Sequence, residues 1–109
     1  MPLSVRVELI YDATCPNVDA ARQQLRDALA RAGRPPIWTE WDRAAPGSPA
    51  YVRRYASPTI LVAGCDVTGA ADLDAGDGCR VYRDDTGTFL PAPSARTILA
   101  AISAADTTV

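Results

Sequence analysis

The period of the apolar residues changes near position 15, and this change constrains the chain more than any other feature. Residues 3–11, LSVRVELIY, alternate at Val5, Val7 and Leu9 and are rich in β-branched side chains, so they predict a strand. From Cys15 onward, Val18, Ala21, Leu25, Leu29 and Ala32 recur at helical spacing. Gly33 supplies a C-terminal stop, and Pro35 and Pro36 forbid continuation. Residues 37–42, IWTEWD, then predict a second strand. Strand, helix and strand in this order imply two parallel strands joined by a right-handed crossover.

The remainder extends that unit. RAAPGSP reads as a loop, and Ser48 before Pro49 predicts the N-cap and first turn of a short helix over PAYVRRYA. Residues 57–64, SPTILVAG, are continuously apolar from Ile60 to Ala63, as in a central strand. CDVTGAADLDAGDG mixes a hairpin turn, a short strand and a loop. Residues 79–85, CRVYRDD, predict another strand, and DTGT a turn. Ser94 caps a last helix whose Ala95, Ile98, Leu99 and Ile102 face inward. Trp38 and Trp41 differ by three positions, so in a strand they point to opposite faces. The fold class is α/β, in the order βαβαββα. It forms a mixed four- or five-stranded sheet with flanking helices and one domain over 1–109.

Bulk properties narrow the function. At 109 residues the chain can bury a core without staples. A net charge of −2 offers no basic face for nucleic acid and no polybasic patch for a membrane. The segment MPLSVRVELIYD is too short and too charged for a signal peptide, and no apolar run reaches transmembrane length. The three cysteines, Cys15, Cys65 and Cys79, are odd in number and irregular in spacing, unlike a secreted disulfide framework. Together these features predict a cytoplasmic protein. The chain has no histidine, which removes histidine-assisted nucleophiles, histidine-ligated zinc and the commonest general base.

Cys15 is the candidate nucleophile. As an N-cap it would put Pro16 at the first helical position, where a missing N–H costs nothing. The N–H groups of Asn17 and Val18 would then point at the sulfur and lower the thiol pKa, with Asp12 opposing. The alternative is a small buried hydrophobe. Cysteine, however, is a poor cap beside serine, threonine or asparagine.

The partner of Cys15 depends on the register of the fourth strand. In one register, residues 63–66 turn, residues 67–69 run back toward Cys15, and Cys79 reaches it as resolving thiol. In the other, residues 65–78 form a long loop and CRVYRDD pairs with the third strand. Cys65 then neighbours Cys79, leaving Cys15 a strand's length away, too far for a disulfide. The second register needs an unusually long structureless loop in a small domain. Both stay open on the sequence.

The order of elements, with TCPN at 14–17 and SPTILVAG at 57–64, resembles the thioredoxin superfamily, nearer its glutaredoxin-like end. The likeness runs from Val5 to Ala105. It implies a cis bond before Pro58, seated against the active cysteine, and substrate contacts at Thr14, Pro16, Asn17 and Thr59. Together with CRVY and a late proline before the last helix, these motifs also resemble small bacterial thioredoxin-like proteins, some linked by name to alkylmercury lyases. One departure matters: the position three after Cys15 holds Val18, so the usual local dithiol is missing.

Three functions are therefore carried forward. The first is a cytoplasmic thiol–disulfide oxidoreductase, with Cys15 as nucleophile, Cys79 as resolving thiol and Pro58 positioning the substrate. Its partner would be a disulfide-containing protein or a low-molecular-weight thiol, with no cofactor. The second is soft-metal or organomercurial handling by thiolates, although no Cys-x-x-Cys metal spacing is present. The third is a non-catalytic binding module on the same fold. Asp66, Asp72, Asp74, Asp77, Asp84 and Asp85 lack a calcium-loop spacing and read as solvated acidic loops. Arg53 and Arg54 read as a solvated helix face, with an anion-attracting role beside Pro58 as the alternative.

Overall fold

The computed structural model describes residues 5–69 and 80–106. Cys79 and the acidic residues Asp72, Asp74 and Asp77 lie outside the described residues. Strand β1, Val7–Tyr11, is followed by helix α1, Val18–Arg31, and strand β2, Thr39–Asp42. β1 and β2 pair in parallel, with Ile10 beside Trp41, as the strand–helix–strand order predicts. α1 buries Val18, Ala21, Leu25, Ala28 and Leu29. It ends where Gly33 turns left-handed, at φ 70°. There the Arg34 N–H donates to Leu29 O and the Gly33 N–H to Ala30 O, a paired closure that satisfies two terminal carbonyls.

Strand β3, Thr59–Val62, lies antiparallel to β1 on its other side, and β4, Cys65–Asp66, returns antiparallel along β3. The sheet order is β2-β1-β3-β4. The return is made by Ala63 and Gly64 at φ 53° and 81°, the two positive values that a tight hairpin turn needs to match strand twist. β4 thus begins at Cys65 itself, which is a strand residue and not part of the turn. Val67 N–H continues the ladder to Ile60 O at 3.1 Å. The chain runs back toward the start of β3, as the first of the two registers requires.

Two elements differ from expectation. The segment after Pro49 is a 3₁₀ turn, Ala50–Arg54, and not an α-helix. Ser48 does not cap it, because its hydroxyl donates to Asp42 O at 2.6 Å, and the extended Pro49 stands at the cap position instead. Tyr55 is already extended, since the chain must straighten before the Ser57–Pro58 peptide and β3. Of the predicted strand 79–85, the described residues 80–85 do not join the main sheet. Among the described residues, strand β5, Tyr82–Arg83, pairs with β6, Phe89–Leu90, in a separate hairpin. The edge of β3 away from β1 is occupied by β4, so β5 does not pair there.

Helix α2, Ala95–Asp106, closes the fold. Ser94 caps it as expected, its Oγ accepting the Thr97 N–H at 3.2 Å. A second cap comes from α1, where Gln24 Oε1 accepts the Ala95 N–H at 2.8 Å. Both helices cover one face of the sheet, where Leu9, Leu25, Leu29, Ile60, Ile98 and Ile102 form the main core with Cys15 at its edge. Each fully buried aliphatic side chain there contributes about 1.5–3 kcal/mol. The other face has a smaller cluster of Ile10, Val52, Tyr55 and Leu61 under the 3₁₀ turn. Trp38 packs on the first face and Trp41 on the second, as their spacing predicts. No helix among the described residues is long and apolar enough to cross a membrane.

Candidate thiol site

Cys15 lies in the connection between β1 and α1, three residues before the helix. α1 begins at Val18 with Asn17 at its cap position, so the expectation that Cys15 is the cap and Pro16 the first helical residue is corrected. The Cys15 N–H instead closes a turn onto Asp12 O at 2.9 Å, which holds the residue against the sheet before the helix can start. Pro16 follows this turn and is exposed, as is Thr14, while Asn17 is half-buried. Cys15 itself is only 8% exposed. It opens onto a cleft of about 330 Å³ shared with Tyr11, Ala13, Pro16, Asp19 and Arg22.

Cys15 is disulfide-bonded. Cys65 is a free, exposed thiol on β4. Cys65 stands opposite Val62, and Val62 opposite Val7, at the start of β1. Cys15 follows Tyr11, at the other end of that strand. The four residue steps from Val7 to Tyr11 span about 13 Å, beyond the reach of a disulfide.

The turn that carries Cys15 is anchored by an ion pair. Asp12 and Arg43 follow the ends of the parallel strands β1 and β2. Arg43 Nη1 donates to Asp12 Oδ2 at 2.6 Å, and the Arg43 N–H donates to Tyr11 O at 2.8 Å. Both side chains are largely buried. On the rim, Arg22 forks onto Glu40 at 2.9 and 3.0 Å and also donates to Asp19 at 3.0 Å. The bond to Glu40 raises the already high arginine pKa, and the same bond holds the Glu40 carboxyl below its ordinary value. The cleft therefore presents a cation already neutralised by two carboxylates, not a free anion hook.

Pro58 is buried, and the Ser57–Pro58 peptide is cis. Thr59 pairs with Ile10, so Pro58 enters β3 at the end where β1 gives way to the Cys15 turn. Thr59 is fully buried; its hydroxyl donates to Ala56 O at 2.5 Å and accepts from Arg80 Nη1 at 3.0 Å. Its hydroxyl is thus engaged by bonds within the protein. Arg53 and Arg54 are exposed at the end of the 3₁₀ turn, which covers the sheet face opposite α1 and α2.

Sequence reasoning missed the residues that fasten the 80–82 segment to this end of β3. The Arg80 N–H donates to Ser57 O at 2.6 Å, and its Nη1 donates to Asp66 Oδ2 at 2.6 Å. The guanidinium also lies 4.6 Å above the Tyr82 ring. The Tyr82 hydroxyl donates to Pro58 O, and burial pushes its pKa up to about 12. The Asp66 side chain is 1% exposed, so it is not one of the solvated acids that its neighbours suggested. Asp84 and Asp85 are exposed, and Asp84 organises the β5–β6 turn by accepting from Thr86 and Thr88. Arg43 Nε and Ser57 Oγ, both near this end, are buried without a hydrogen-bond partner among the described residues. Among the described residues, no group of three or more histidine, cysteine, aspartate or glutamate side chains is placed to hold a metal.

Comparison with known proteins gives no match to a family model, a curated protein or a solved structure.

Proposed function

We propose that this chain has a thioredoxin-like fold and acts as a thiol–disulfide oxidoreductase through Cys15, with Cys79 as the resolving thiol. The observation that carries this is the fastening of Arg80, the residue after Cys79, to Ser57 O beside the cis Ser57–Pro58 peptide. That peptide enters β3 at the end of the sheet where Cys15 leaves β1. Cys15 is disulfide-bonded, and Cys65 is free at the other end of the sheet, which supports Cys79 as the partner. The strand order supports the fold, although a 3₁₀ turn replaces the second helix and a hairpin precedes α2.

In the reduced protein the Cys15 thiolate attacks one sulfur of a substrate disulfide. A mixed disulfide forms, and the other substrate sulfur leaves as a thiolate that takes a proton. The Cys79 thiolate then attacks the Cys15 sulfur, closing the internal disulfide and expelling the second substrate thiolate. Two electrons pass from the protein dithiol to the substrate. A low-molecular-weight thiol or a dithiol protein resets the pair.

Thiolate capture of a soft metal by all three cysteines is not supported. Cys65 is separated from Cys15 by the length of β1, which a metal–sulfur bond of about 2.3 Å does not bridge.

The test is trapping with glutathione disulfide. Reduced Cys79→Ser protein is expected to retain one glutathione on Cys15, while the wild type passes through that adduct to an internal disulfide. Cys15→Ser protein should carry no adduct at the site. Glutathione found on Cys65 alone, or a Cys79→Ser protein that stays unmodified, would overturn the mechanism.

A further inference from the structure

The sheet face away from α1 and α2 carries an ionisable group that thiol chemistry does not use. Glu8 is the second residue of β1, and strand alternation turns it with Ile10 toward the 3₁₀ turn. It is 2% exposed. Trp41 Nε1–H donates to its Oε2 at 2.8 Å, the Tyr51 hydroxyl donates to the same oxygen, and Arg6 Nη2 approaches it at 3.3 Å. All three donors converge on Oε2. Oε1 receives none of them. Glu8 lines a cleft of about 460 Å³ together with Arg6, Tyr51, Tyr55 and Leu61.

A buried carboxylate that served packing alone would have both oxygens satisfied, since an unmet buried acceptor is costly. We propose that this cleft binds a small organic cation, a primary ammonium carried on a flat apolar body. Oε1 accepts the ammonium N–H, and the two tyrosines and Leu61 supply aromatic and aliphatic contact. An anion would meet the Glu8 charge without a compensating pair, because the guanidinium of Arg6 is already drawn to that carboxylate. A divalent metal would need several oxygen ligands, and the cleft offers one carboxylate.

Arg6 is the competitor for this position. Its contact at 3.3 Å is longer than a charge-assisted hydrogen bond prefers, and its side chain is 60% exposed. Such a contact is readily exchanged. Removing it should improve binding of the cation, an outcome that a merely structural Glu8 does not produce.

Benzylammonium is the probe, with benzyl alcohol and benzoate as neutral and anionic controls of the same shape. The Trp41 indole N–H resonance reports occupancy, because that group already bonds Glu8. Benzylammonium should shift it saturably and bind about tenfold or more tightly than either control. Arg6→Ala should tighten the ammonium severalfold, and Glu8→Gln should abolish the preference for charge. Absence of a saturable shift in the wild type would overturn the proposal, as would equal binding of the alcohol. So would an Arg6→Ala protein that binds the ammonium no better; this last test does not depend on the Glu8 variant folding.

Discussion

Ala63 takes a left-handed conformation at φ 53° in the tight turn between β3 and β4. For a residue with a Cβ this conformation costs about 1 kcal/mol, and asparagine tolerates it better. Ala63→Asn should therefore stabilise the protein by about 0.5–1 kcal/mol, read as a higher urea midpoint with an unchanged slope. Tyr82 gives a pH signature. Its folded pKa, about 12, lies above the ordinary tyrosine value, so burial favours the protonated form. The associated stability is fully present below about pH 10 and is lost as pH rises toward 12. Urea midpoints measured from pH 8 to 12 should fall over that window, and Tyr82→Phe should flatten the fall. Residue-level legibility was uneven. Cys15 and Pro58 stood out because each punctuates an apolar run. Glu8 did not: as the polar partner in an alternating strand it reads as a solvent-facing residue, and only the cover of the 3₁₀ turn makes it buried.

At the scale of elements, the unit β1, α1 and β2 was legible because its periods, its glycine stop and its prolines all agree. The cap of α2 was legible for the same reason. Pairing choices after β3 were not, because they depend on which segment reaches a free edge first. β4 takes that edge, and residues 82–83 are left to pair with 89–90. The Asp66 and Arg80 pair was hidden for a related reason. The partners are 14 positions apart, with an acidic, glycine-rich stretch between them that suggested a solvated loop. Arg80→Met should remove the partner of a buried carboxylate and cost about 3 kcal/mol or more. Urea denaturation of Arg80→Met, Asp66→Asn and the double variant should show strong coupling, the double variant being less destabilised than the sum of the singles. Arg80→Met should also loosen the segment that follows Cys79. On the proposed mechanism, the disulfide of Cys15 then becomes severalfold easier to reduce in a glutathione redox titration.

The whole molecule places its chemistry at opposite ends of one sheet. Cys15, Pro58 and the Arg80 clamp gather where β1 ends and β3 begins, while Cys65 stands on β4 opposite Val62, at the other end of β3. On the proposed mechanism, Cys65→Ser should leave glutathione-disulfide turnover unchanged, whereas Cys15→Ser should abolish it. The most direct test of the account is differential alkylation with peptide mapping, on protein exposed to air and again after dithiothreitol. The expected result is a Cys15 peptide joined to the Cys79 peptide in air and released by the reductant, with Cys65 alkylated in both states. A bond between Cys65 and Cys79, or three thiols alkylated alike in air-exposed native protein, would contradict it.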